Sequence, residues 1–210
     1  MYKVKEEIPK YLFREYDIRG KYDEEIDENF AYTFGLSFGS YIKKNNKDKC
    51  VIGHDNRLSS DSLYNALIEG IKHTGVDIIS LGLVTTPMFY YGCIKLEIPS
   101  GVMITASHNP KNENGFKFSF DERGNAKGEM IKEFYDFTIK KEFIKGNGNI
   151  EKYDITNDYI KLFDDSLDIK ENNLNVVIDM GNATTTVIAP TLYKRYVKNL
   201  TCLCDKSDGS

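Results

Sequence analysis

A chain of 210 residues, 40% hydrophobic and 29% charged, has the make-up of a soluble globular protein of one large or two small domains, with a core that hides about 70% of the unfolded chain's surface. Its net charge of −4 and pI near 5.5 argue against nucleic acid, which selects a concentrated basic face, and no segment reaches the ~20 apolar residues of a membrane span. The opening MYKVKEEIPKYLF lacks the apolar run of a signal peptide, and Cys50, Cys93, Cys202 and Cys204 show no metal-ligand spacing and read as small buried hydrophobes, so the expected compartment is the cytoplasm.

In chain order, the first clear element is a helix over 27–44. Asp27 is placed to cap it, and Phe30, Phe34, Phe38 and Ile42 recur every fourth residue on one side. Residues 50–53 form a short apolar strand. Ser59, Ser60 and Asp61 read as the cap of a second helix, whose Leu63, Ala66, Leu67, Gly70 and Ile71 follow the helical spacing until Gly75 ends it. Next come a strand at 76–81, a helix from Pro87 to Leu96, strands at 102–105 and 116–120, and a helix at 129–141. The run Lys145-Gly146-Asn147-Gly148-Asn149 reads as a linker. Beyond it the pattern predicts a helix over 155–167, a strand over 174–178, a helix over 184–197 and a strand over 200–203.

This alternation predicts an α/β fold with a mixed, mainly parallel sheet sandwiched by helices. The strand at 116–120 follows its predecessor too closely for a parallel crossover and should run antiparallel to it. The division is a first domain over 1–150 and the start of a second, similar α/β domain over 151–210. Two strands are too few for a complete sheet.

Chemistry concentrates after the strand at 102–105. Thr105-Ala106-Ser107-His108-Asn109-Pro110 stands at the carboxyl end of a strand, where parallel α/β sheets bind ligands. By composition alone this is a polar turn. As a site it brings a hydroxyl together with His108, Asn109, Lys117 and Arg19, the cationic and amide company that a phosphorylated serine requires. Neighbouring residues point different ways, so Ser107 and His108 are not expected to form a nucleophile–base pair. No G-x-S-x-G elbow is present, which lowers a serine-hydrolase reading. A second stretch, Phe13-Arg14-Glu15-Tyr16-Asp17-Ile18-Arg19-Gly20, offers two arginines for bidentate phosphate contacts, or a surface turn with an Asp17–Arg19 charge pair.

These two stretches, with Asn114-Gly115-Phe116-Lys117 and the turn Gly53-His54-Asp55-Asn56-Arg57-Leu58-Ser59, resemble in order and spacing the N-terminal portion of the α-D-phosphohexomutases, in the phosphomannomutase/phosphoglucomutase branch. The resemblance implies that Ser107 carries a phosphoryl group and binds Mg²⁺ through a phosphate oxygen. It implies an intramolecular phosphotransferase that moves phosphate between C1 and C6 of a mannose or glucose phosphate, through a hexose 1,6-bisphosphate that also serves as activator. His108 would hold the phosphoserine or assist proton transfer. Arg19 and Lys117 would face the reacting oxygens, Tyr16 would line the sugar site, and Asn109 would hold the loop. Asp55 and Arg57 read as a structural ion pair.

Departures from the family pattern stand at His54 and Asn56, and at Met180-Gly181-Asn182-Ala183-Thr184-Thr185, which reads as the start of a helix capped by Asn and Thr. The family's acidic metal loop and its sugar-selecting and distal phosphate loops are not in this chain. The expected partners are therefore a hexose phosphate and the missing C-terminal domains, and the isolated span is expected to be inactive. The alternative is a non-catalytic α/β module that binds a partner.

Overall fold

The computed structural model describes residues 1–169 and 172–210. After a turn of 3₁₀ helix at Lys10–Leu12 the elements are β1 (Ile18–Lys21), α1 (Glu28–Lys44), β2 (Lys49–His54), α2 (Ser60–Lys72), β3 (Asp77–Leu83), α3 (Thr86–Lys95), β4 (Gly101–Ile104), β5 (Glu113–Ser119) and α4 (Glu129–Thr138). They continue with β6 (Ile150–Lys152), α5 (Thr156–Ser166), β7 (Asn172–Asp179), α6 (Ala189–Tyr193) and β8 (Val197–Leu203). The first six strands make one sheet in the order β1-β5-β4-β2-β3-β6. The β4–β2, β2–β3 and β3–β6 pairs are parallel, while β1–β5 and β4–β5 are antiparallel. This is the mixed, mainly parallel sheet the pattern predicted, and β5 turns back on β4 as its short connection requires.

Alternation along each strand decides which helices cover which face. Cys50, Ile52, Val102, Ile104, Phe116 and Phe118 join the core formed with α1, α2 and α4. Val51 and Met103 point the other way, into a second cluster with Met88 and Phe89 of α3 and Ile155 and Tyr159 around α5. The first core is rich in aromatic rings: Phe34 lies 4.8 Å from Phe116, 5.4 Å from Phe118 and 5.6 Å from Phe134 between ring centres. Helix α1 is capped as expected, the Phe30 amide donating to Asp27 Oδ1 at 2.7 Å. It packs backbone to backbone on α2, where a Cβ on Gly35 would collide with the Leu67 carbonyl and one on Gly70 with that of Tyr32.

Several expectations are corrected. Ser59 does not cap α2 with its side chain; its hydroxyl instead accepts from Asn114 Nδ2 at 2.8 Å. The helix expected over 184–197 is a 3₁₀ turn at Thr184–Val187 followed by the five residues of α6, because the run Thr-Thr-Thr-Val-Ile loses side-chain freedom in a helix. The helix from 129 stops at Thr138, and Lys141 takes a left-handed φ of 55°. Cys50 and Cys93 are buried, but Cys204 is exposed and Cys202 only half-buried, since both faces of the β7–β8 sheet are largely open.

The 145–149 run is not loose. Gly146 and Gly148 donate to the carbonyls of His73 and Lys72, and β6 after it extends the first sheet. β7 and β8 form a separate parallel pair. No helix among the described residues is long and apolar enough to cross a membrane.

Candidate functional site

Strands β2, β3 and β4 run parallel, so their carboxyl ends open onto one edge of the sheet. There they release three loops: Asp55–Arg57, Val84–Thr86 and Thr105–Pro110. Together with Gly181, Ala183, Thr184 and Thr185 after β7, these loops line a cavity of about 600 Å³ whose wall includes Ser107, His108 and Asn109.

The serine loop is held by its own turn and by an arginine. The Ser107 amide donates to Thr105 Oγ1 at 2.9 Å, a local side-chain turn that leaves Ser107 exposed and in the left-handed region at φ 57°. From β2's side, Arg57 reaches beneath the loop. Its Nη1 donates to the carbonyls of Pro110 (2.7 Å) and Glu113 (3.0 Å), and its Nη2 to those of Asn109 (2.7 Å) and Ser107 (3.1 Å). Its Nε lies 3.3 Å from Asp55 Oδ2. Asp55 Oδ1 accepts from Ser60 Oγ at 2.5 Å, and Asn114 Nδ2 donates to Ser60 Oγ at 3.1 Å. The Asp55–Arg57 pair is structural in this sense: it ties the end of β2 and the start of α2 to the serine loop.

His108 Nδ1 lies 3.4 Å from Ser107 Oγ, beyond a well-formed O–H···N bond. The two adjacent side chains thus come closer than sequence alternation suggests, because the left-handed Ser107 turns the chain. Among the described residues no carboxylate is hydrogen-bonded to His108, so the third member of a hydrolase triad is missing.

Arg19, Lys117 and Tyr16 do not line the cavity. Arg19 meets the serine loop through Asn109, whose Oδ1 accepts from Arg19 Nη1 at 2.6 Å, and Lys117 is linked to Arg19 through Asp17. Arg19 Nη1 also lies 3.4 Å from the Ala106 carbonyl. Lys117 sits between Phe116 and Phe118, so the alternation that buries the two rings drives its ammonium to the opposite face. There it lies 5.2 Å from the centre of the half-exposed Tyr16 ring and 3.3 Å from Asp17 Oδ2. Gly115 permits this edge to form: a Cβ there would collide with the Ile18 carbonyl across the β1–β5 pair.

Two placements differ from the sequence reading. The Asp17–Arg19 pair, offered there as part of a surface turn, is buried and takes in Lys117 as a third member. Asn56 is tied to the turn after β7: its Nδ2 donates to the Asn182 carbonyl at 2.8 Å, and its side-chain oxygen accepts from Thr184 Oγ1 at 2.9 Å. Thr184 is therefore committed to Asn56 and caps no helix.

Chemically, the loop offers one exposed hydroxyl, a neighbouring imidazole and one cation, Arg19, joined to it by an amide, with Lys117 beside Arg19 across Asp17, an arrangement suited to an anion at the serine. It does not by itself suit Mg²⁺, which requires several oxygen ligands. Among the described residues no group of three or more His, Cys, Asp or Glu side chains could hold a metal ion, and Asp55 is occupied by Ser60 and Arg57.

Residues 10–145 match the family model described as phosphoglucomutase/phosphomannomutase, alpha/beta/alpha domain I. The chain is 34% identical over 205 residues to a phosphomannomutase/phosphoglucomutase of Pseudomonas syringae, covering 97% of this chain and 43% of that protein. It is 31% identical over 205 residues to a phosphoglucomutase of Neisseria meningitidis, covering 97% of this chain and 44% of the relative. The crystal structure of a phosphoglucomutase/phosphomannomutase family protein from Burkholderia thailandensis superposes with a TM-score of 0.85 at 31% identity, over 99% of this chain and 46% of that one. The chain thus spans less than half the length of these relatives. With its sheet, its serine loop and 136 consecutive residues matched (10–145), it belongs to the phosphoglucomutase/phosphomannomutase family.

Proposed function

We propose that this chain is the serine-bearing part of a mutase that moves phosphate between C1 and C6 of a hexose phosphate. The observation that carries the reading is the exposed Ser107 hydroxyl at the carboxyl end of β4, in a loop gripped by Arg57 and joined through Asn109 to Arg19. In this reading phosphorylated Ser107 is the donor. Its Oγ–P bond breaks as a bond forms from phosphorus to the free C1 or C6 hydroxyl oxygen of the sugar phosphate. The hydroxyl proton passes to a base at the site, the leaving Oγ takes up a proton from an acid there, and the products are a hexose 1,6-bisphosphate and the free serine. After the bisphosphate turns over, the other phosphoryl group returns to Ser107 by the reverse step. The same bisphosphate acts as activator, because it can rephosphorylate a serine that has lost its group.

Phosphoryl transfer is mostly positioning and charge stabilisation. Arg19 and Lys117 supply the cations, and His108, 3.4 Å from the hydroxyl, is placed to accept or return a proton. Asn109 holds the loop to Arg19, and the open face of Tyr16 borders the sugar. Mg²⁺, which the resemblance implies, would need oxygen ligands that the described residues do not bring to Ser107. Those ligands, the sugar selection and the turnover itself belong to the remaining part of a longer protein.

The test is Ser107→Ala in the complete gene product. Turnover of a hexose 1-phosphate should fall by about 10³-fold or more, and radiolabelled bisphosphate should label the wild type but not the variant. Undiminished turnover, or label on another residue, would sink the reading. A second reading, a non-catalytic interaction module, draws on Leu174, Val177 and Leu203, which stand exposed on the β7–β8 sheet. It predicts no labelling of the wild type.

A further inference from the structure

We infer that Asp17 is a positioning residue for phosphoryl transfer, setting the alignment of both Arg19 and Lys117 through a single buried carboxylate oxygen. The inference rests on the reading of Ser107 given above. Asp17 is 2% exposed. Its Oδ2 accepts from Arg19 Nε at 2.7 Å, lies 2.7 Å from Arg19 Nη2, and accepts from Lys117 Nζ at 3.3 Å. The β1–β5 register explains the convergence. Ile18 pairs with Phe116, so Asp17 falls opposite Lys117, and Asp17 and Arg19, two apart, share a face.

The side-chain inventory shows what this leaves free. Of the five guanidinium N–H groups, those on Nε and Nη2 facing Asp17 are fixed by it, and those on Nη1 face Asn109 and the Ala106 carbonyl. One Nη2 proton remains, and the Lys117 ammonium keeps two. Asp17 therefore orients the two cations so that their unused donors are available to an anion at the loop. It also brings the ammonium and Arg19 Nη2 within about 6 Å of each other, a spacing that two like charges resist without a carboxylate between them. Through Arg19 and Asn109 the same oxygen is coupled to the serine loop. Asp17 touches no substrate in this scheme and acts only through its neighbours.

Steady-state kinetics of the complete gene product on a hexose 1-phosphate test this, with folding followed by thermal melting. Asp17→Asn keeps the shape and removes the charge. It should lower kcat about 10- to 100-fold, the scale of a small misplacement of reacting groups, while KM stays within about threefold. In a Lys117→Met background the same substitution should have a smaller effect on kcat, because one of the groups it acts through is gone. A folded Asp17→Asn enzyme with wild-type kcat, or an equal loss in both backgrounds, overturns the inference. If Asp17→Asn does not fold, Asp17→Glu decides. It keeps the charge but shifts it by one methylene, so a lowered kcat at wild-type melting temperature supports positioning and a wild-type kcat refutes it. Ser107→Ala, run alongside, separates the two claims. If that variant retains turnover the carrier reading fails and the inference falls with it. If it is inactive while Asp17→Asn is fully active, only the inference about Asp17 fails.

Discussion

Replacing Arg57 by alanine removes four hydrogen bonds to loop carbonyls and one ion pair with Asp55 at once. The two bonds at 2.7 Å, to Asn109 and Pro110, are charge-assisted and contribute about 1.5 kcal/mol each. The two at 3.0 and 3.1 Å, to Glu113 and Ser107, contribute about half that. The sum, about 4.5 kcal/mol, is an upper bound, because water can reach the exposed Ser107 and Pro110; a loss of about 2–4 kcal/mol is expected. The loss is local, since Asp55 keeps its bonds from Ser60 Oγ and the residue 57 amide. Hydrogen exchange reads it directly at the Asn109 and Glu113 amides, which donate to the Ala106 and Pro110 carbonyls within the loop. They should exchange about 30- to 1,000-fold faster in the variant. Arg57→Lys should recover less than half, because one ammonium cannot span carbonyls on both arms of the guanidinium fork. Exchange within about threefold of wild type at both amides would refute the idea that Arg57 holds the serine loop.

Two further outcomes follow from the core. Phe116→Ala should destabilise the fold by about 3–5 kcal/mol, because the fully buried ring stacks on Phe34 and Phe30; a urea-derived loss under about 1.5 kcal/mol would contradict the packing described. Burial pushes the Cys93 thiol up from 9.0 to about 12, and Cys50 higher still. A folded pKa raised in this way contributes stability that is fully present below the unfolded value and is lost as pH climbs through the folded one. The urea midpoint should therefore fall between pH 9 and pH 12, and Cys93→Ala should flatten that fall; identical slopes would show that the thiol is not buried.

The elements read from the sequence were those whose periodicity the core enforces. Phe30, Phe34 and Phe38 announced α1, and Val102 to Ile104 announced β4, because burial on one or both faces leaves a regular apolar pattern. β1 and the first half of β5 were missed for the converse reason. Arg19 and Gly20 pair with Gly115 and Asn114, and such polar and small residues carry no strand signal until the partner strand is known. Of the residues around the serine loop, Ser107, His108, Asn109, Arg19 and Lys117 were legible as types suited to an anion, while Tyr16 entered as a sugar-site residue only through the family resemblance. Their division into a cavity wall and a cation pair beyond it was not, since that depends on which face Lys117 takes. The Asp17–Arg19 pair was read, as one alternative, but its burial and its reach to Lys117 were not, since both depend on the β1–β5 pairing. Asn56 left no such trace, because its partners lie 126 and 128 positions away.

The left-handed backbone at residue 107 narrows the choice of hydroxyl. Threonine can form a phosphate ester as serine can, and by reactivity alone the two are near equivalents. At φ 57°, however, any L-residue already bears a cost of about 1–2 kcal/mol from its Cβ, and a second substituent on Cβ adds crowding that makes β-branched residues genuine outliers there. The turn closed by Thr105 and braced by Arg57 thus discriminates against one of the two aliphatic alcohols before any ligand arrives. At position 107 main-chain geometry thus selects serine over threonine independently of reactivity.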